Sequence, residues 1–129
     1  MITVYVIHSR EFDFKNKLYN PLRNSSLNEK VNFIFPHENS DKPYNSKELF
    51  LSKNENLIIL AEMSYDAKGR DMELGMAYIM DIPVIAIYKP GSNISGSQKL
   101  PMVNEIEYNS IEEIIEELEK VLKWNRVKS

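Results

Sequence analysis

The sequence has no cysteine, which excludes disulfide staples, thiolate catalysis and cysteine-ligated zinc together. No apolar run approaches the roughly 18 residues needed to cross a bilayer. The first residues, with Thr3, His8 and Arg10 early, lack the charged-then-apolar layout of a signal peptide, so a cytoplasmic location is expected. Basic residues are not gathered either: 16 Lys and Arg are dispersed among 19 Asp and Glu, for a formal net charge of −3. Without a basic stripe, neither a nucleic-acid polymer nor an anionic membrane is an expected partner, whereas one small phosphate is compatible. No G-x-G-x-x-G follows the first apolar run, which leaves a dinucleotide-binding function without support. Internal repeats and low-complexity segments are absent as well.

What is present is the makeup of one soluble domain covering residues 1–129, with 43% hydrophobic and 27% charged residues. Ile2 to Ile7 reads as a first buried strand and Val31 to Phe35 as a second, ended by Pro36. Between them, Phe14, Leu18, Tyr19 and Leu22 recur at helical spacing over Arg10 to Asn24, with Pro21 forcing a new turn or a kink. The stretch HENSDKPYNS has the composition of a loop, and Asn45 with Glu48 forms a capping box that predicts a short helix from Ser46 to about Lys53. Leu57 to Ala61 and Ile82 to Tyr88 are near-continuous apolar runs of strand length, as in parallel sheets covered on both faces. A polar loop and a helix starting near Gly69 or Asp71 join them into a βαβ unit. A weak fifth strand is expected over Glu105 to Tyr108. Ser110 with Glu113 then opens a last helix whose apolar face runs through Ile111, Ile114, Ile115, Leu118, Val121 and Leu122. The alternation predicts a three-layer α/β domain with a five-stranded parallel sheet, flavodoxin-like or Rossmann-like.

In such sheets ligands bind at the carboxyl ends of the strands. Glu62, Ser64 and Asp66 crowd that end of the third strand, Gly69 marks the entry to the helix, and Glu73 lies about one turn into it. By position alone Glu73 reads first as an exposed acid favoured by the helix dipole, and second as a functional group. Glu62 and Asp66 are candidate proton donors to a leaving group, or solvated loop acids. His37, Glu38 and Asp41 lack the spacing of a metal site, so no metal is expected.

AEMSYDAKGRDMELGMA followed by IPVIAIYKPG, with VYVIHS at the N-terminus, resembles the nucleoside 2-deoxyribosyltransferase superfamily, including its nucleoside 5'-monophosphate N-glycosidase branch. In that family a strand ends in an acidic residue and a polar loop leads to Glu-Leu-Gly-x-Ala. The resemblance covers about half the chain. It implies cleavage or transfer of the N-glycosidic bond of a (deoxy)nucleoside or nucleoside 5'-monophosphate, with Glu73 as the nucleophile and no cofactor. It puts Tyr5 and Ser9 at the family's tyrosine and serine, His8 where a small residue is usual, Glu48 near an acid that holds ribose hydroxyls, and Ser92 and Ser95 near a phosphate-binding serine. Gly75 of the motif would let the helix approach a strand or ligand closely. The family's serine or aspartate six residues before its glutamate is Ala67 here, so Asp66 is the candidate replacement. A homodimer or larger assembly is implied, with Met76, Tyr78, Ile79 and Met80 giving the helix more than one apolar face. The alternative is a non-catalytic nucleotide-binding or sensing domain on the same scaffold.

Overall fold

The computed structural model describes residues 1–52, 56–94, 96–99 and 102–128. Strands β1 (Thr3–Ile7), β2 (Asn32–Ile34), β3 (Leu57–Glu62), β4 (Val84–Tyr88) and β5 (Met102–Glu107) form one sheet in the order β2-β1-β3-β4-β5. Every pairing is parallel, with Tyr5 opposite Ile59 and Ile59 opposite Val84. This is the expected five-stranded, three-layer α/β arrangement.

Successive residues of a strand point to opposite faces, so each strand feeds two cores. Val4, Val6, Ile58, Leu60, Ile85 and Ile87 point to one face, where they meet Leu18, Tyr19, Leu22 and, from α6 (Ile111–Lys128), Ile114, Leu118 and Leu122. Tyr5, Ile7, Ile59, Ala61, Val84 and Ala86 point to the other, against Phe50 of α3 (Ser46–Leu51) and Leu74 and Ala77 of α4 (Lys68–Ile79). A fully buried aliphatic side chain contributes about 1.5–3 kcal/mol, which is why the unbroken apolar runs of β3 and β4 dictate burial on both sides.

Differences from the sequence pattern have local causes. The helix expected over Arg10 to Asn24 is a π-helical segment, Lys15–Tyr19, running into α1 (Asn20–Arg23), with Pro21 at the start of the new segment. Residues 10–13 stay outside: the helix opens at Phe14, whose ring lies on that of His8, centroids 4.4 Å apart, and Phe12 stacks on Tyr65 at 4.9 Å. A short helix α2 (Leu27–Lys30) precedes β2, and α5 (Gly96–Lys99) follows β4. Asn45 caps α3 as its sequence predicts, its Oδ1 accepting the Glu48 N–H at 3.3 Å. Glu113 instead reaches the Asn109 N–H, at 2.9 Å, one residue before Ser110. Gly75 is exposed, and a Cβ there would meet nothing within 4 Å, so the close approach expected of it is absent. No helix among the described residues is long and apolar enough to cross a membrane.

α4 begins without a side-chain cap, because its N-cap residue is Ala67, with φ −160° and ψ 113°. Ala67→Ser supplies an acceptor for the unpaired N–H groups of the first turn and is expected to stabilise the fold by about 1 kcal/mol. The check is urea unfolding at constant m-value; an unchanged midpoint would show that those donors already have partners.

Candidate functional site

The chain leaves β1 toward β2 and then returns to β3 on the other side of β1, so the loops after β1 and β3 diverge. A crevice opens where they part, at the carboxyl edge of the sheet. Two adjoining hollows of about 420 and 490 Å³ occupy it, sharing His8, Arg10, His37, Gly69 and Glu73. At their junction the Tyr5 hydroxyl donates to Glu73 Oε2 at 2.6 Å, across 68 residues of sequence. Burial raises the Glu73 pKa above the usual carboxylate range, while hydrogen bonds from the Tyr5 and Ser46 hydroxyls pull it back down. Burial, then the bond to Glu73, pushes the Tyr5 phenol far up, so Tyr5 stays a donor. A half-buried carboxylate with fixed donors, facing an open cleft, is equipped to attack or stabilise an electron-poor carbon.

His8 lines both hollows, but its ring is committed to the protein. The Ser9 carbonyl can only accept, so Nδ1, 2.7 Å away, carries the proton, and Nε2 accepts from the Tyr19 hydroxyl. Tyr19 Oη in turn accepts the His37 N–H at 3.3 Å. Burial among Phe12, Phe14, Tyr19 and His37 lowers the His8 pKa to about 4. His8 is therefore a neutral wall of the cleft. Ser9 borders the second hollow and is buried, its hydroxyl accepting the Glu11 N–H at 3.1 Å.

The acid loop after β3 is clamped from behind. Glu62 is buried and lines neither hollow; its carboxylate accepts the Tyr108 hydroxyl, the Ser64 N–H and, at 3.1 Å, the Ser64 hydroxyl. Ser64 Oγ also accepts the Lys89 N–H at 2.8 Å, tying the loop to the end of β4. Arg70, buried and unforeseen by the sequence pattern, donates to the carbonyls of Glu62 and Tyr65 and pairs with Asp71 at 3.0 Å. Of the two strand-end acids expected at the cleft, only Asp66 lines it, exposed at the rim beside Ala67 and Lys68.

Thus Tyr5, His8, Ser9, Asp66, Gly69 and Glu73 come together, while Glu62 and Ser64 stand behind as structural groups. Glu48 is exposed and engaged in the α3 capping box, lining neither hollow. Ser92 sits in the turn after β4, its N–H bonded to the Lys89 carbonyl, also away from the two hollows; Ser95 lies outside the described residues. Glu38 is held by Arg23 at 2.9 Å and Asp41 by Arg10 at 3.2 Å. Among the described residues no group of three or more His, Asp or Glu is arranged to hold a metal. The other wall of the cleft comes from the β2–α3 loop, through Pro36, His37, Pro43 and Tyr44, and from Ser46 at the start of α3. Its signal was topological: this loop leaves the carboxyl end of a strand next to β1, as the acid loop does.

Fold and cleft define an α/β domain with a carboxylate-bearing crevice at its strand-order switch point. A scan against protein-family models, a search of curated proteins and a search of solved structures each returned no match to this chain.

The neutral His8 has a consequence for stability. The unfolded chain binds a proton near pH 6.5, whereas the folded chain resists it down to about pH 4. Stability therefore falls as pH drops through that window, by at most about 1.4 kcal/mol per unit. His37, also lowered by burial, acts in the same direction. Glu73, raised, opposes them between the usual carboxylate value and its own raised one. His8→Gln is expected to flatten the dependence between pH 6.5 and 4.5 in urea melts; an unchanged slope would exclude His8 as its source.

Proposed function

We propose that this chain is a member of the nucleoside 2-deoxyribosyltransferase superfamily that cleaves or transfers the N-glycosidic bond of a (deoxy)nucleoside or nucleoside 5'-monophosphate. The observation that carries this reading is the Tyr5 hydroxyl held at 2.6 Å from Glu73 Oε2 in an open cleft, the two residues of the N-terminal and Glu-Leu-Gly-Met-Ala segments meeting at one point. Glu73 attacks the anomeric carbon as the bond to the base breaks, and the bonding pair leaves with the base, which takes a proton from Asp66 or solvent. Water or a second nucleobase then attacks the glycosyl ester and frees the carboxylate. Tyr5 fixes one carboxylate oxygen and, with Ser46, favours the ionised form against the opposing effect of burial.

Glu73→Gln keeps size and loses charge, and it is expected to lower base release by at least about 10³-fold, about 4 kcal/mol of barrier. Chromatography of released base over a panel of nucleosides and their monophosphates reads this, with circular dichroism as the control for folding. Wild-type rate in Glu73→Gln would end the glycosyl-ester mechanism. The nucleotide-sensing alternative draws on one observation: the rim acid, Asp66, is exposed, and its neighbour Ala67 has no proton to give. Tight nucleotide binding without release from any panel member would decide for it.

We also propose that the protein works as a homodimer or larger assembly. Of the four expected apolar residues, Met76 and Met80 pack against the core, while Tyr78 and Ile79 are 54% and 80% exposed, an apolar surface that a second copy would cover. Light scattering at micromolar concentration is expected to give at least twice the 15.1 kDa chain mass, and Ile79→Glu to reduce it. A 15.1 kDa wild-type particle would sink the idea.

A further inference from the structure

We propose that Tyr44 is the specificity-determining residue of this cleft: it holds the base by stacking, so the site accepts purines as a class with little regard to their exocyclic groups. The inference rests on reading the cleft as a nucleoside site. Tyr44 is one of the few large apolar residues with an exposed ring, 40% accessible, and it borders the hollow that contains Glu73. Its ring lies tilted on that of Tyr5, with centroids 5.4 Å apart, and Tyr5 is bonded to Glu73. The platform is thus linked to the Glu73 carboxylate through one intervening ring.

Several of the polar groups lining the same hollow are already engaged. Tyr5 gives its hydroxyl to Glu73, and Ser46 lowers the pKa of the same carboxyl. His8 has spent both ring nitrogens, Arg10 is paired with Asp41, and His37 Nδ1 meets the Ser40 carbonyl at 3.3 Å where the two hollows join. Pro36, Pro43, Met72 and Met76 supply the apolar remainder. A site built to hydrogen-bond a polar group rejects analogues lacking it by factors of about 10⁴–10⁵, whereas an apolar slot separates near-isosteres by only about 10²-fold. Stacking follows ring area instead, and two fused rings offer more of it than one.

The test measures equilibrium binding to the Glu73→Gln protein, in which turnover is off, using adenosine, inosine, guanosine and cytidine and their 2'-deoxy forms. Expected are purine Kd values within about 10²-fold of one another, cytidine weaker than any purine, and a loss of about 5- to 150-fold for purines on adding Tyr44→Ala. Tyr44→Trp is expected to recover most of that loss, and circular dichroism confirms folding. A single purine preferred by more than about 10³-fold, an unchanged Kd in Tyr44→Ala, or no nucleoside bound at millimolar concentration would each overturn the proposal. Base release plays no part in the measurement. Tyr44-dependent purine binding by a protein that releases no base would therefore retire the glycosidase reading and leave this inference standing.

Discussion

Parallel pairing of β1 between β2 and β3 is the constraint from which the rest follows. A parallel neighbour can be reached only by a crossover, and crossovers in one sheet share one hand. Once the chain has gone to β2 on one side and returned to β3 on the other, the layers on the two faces are assigned and the loops beyond β1 and β3 must separate. That separation is the cleft. It places Tyr5, midway along β1, opposite Ile59 on the floor beneath α4, and it lets residue 73 arrive over residue 5. No local preference brings these two together; only the strand order does.

Within this frame the acid loop is rigid by construction. The buried Glu62 and Arg70 are oppositely charged, yet they do not pair with each other in the described contacts. Glu62 is satisfied by Tyr108 and Ser64, and Arg70 by two loop carbonyls and Asp71. Each charge is buried only with hydrogen bonds in place, as the cost of an unpaired buried charge requires. Removing either side chain would leave its partners unsatisfied, so both act as fasteners for the segment that carries Asp66. The Phe12–Tyr65 stack and the Lys89 ammonium, 3.1 Å from the Tyr65 hydroxyl, pin the same loop from above.

How much of this was legible in the sequence varied with the range of the interactions involved. The β3-α4-β4 unit could be read because burial on both faces writes itself as unbroken apolar runs, and the α3 cap because Asn45 and Glu48 are three residues apart. The π-helical start of the first helix could not, since it is set by Phe12 and Phe14 turning onto Tyr65 and His8, far off in the chain or across the strand end. Position beside Asp66 made Glu62 look like a cleft residue, but alternation along β3 and the reach of Tyr108, 46 residues away, turn it inward. Arg70 carried no signal at all: an arginine in a first helical turn ordinarily reads as solvated, and its burial depends on two carbonyls that only the folded loop presents.

The Glu-Leu-Gly-Met-Ala segment divides cleanly once the faces of α4 are known. Leu74 and Ala77, three residues apart, face the sheet, and any helix packed there needs small or aliphatic residues at those positions. Gly75 and Met76 face outward or half outward and meet no packing demand that glycine alone satisfies. Glu73 is different because the fold would be better off without its charge. Its pKa is raised by burial, so the folded state binds its proton more tightly than the unfolded chain does. Below the usual carboxylate range both states are protonated and no penalty exists; as pH rises from that range through the raised value the penalty is established. Two hydroxyl donors reduce that cost without removing it. A residue whose charge works against stability, and toward which a tyrosine from the sheet floor and a serine from a separate helix converge, is not accounted for by the packing of the fold.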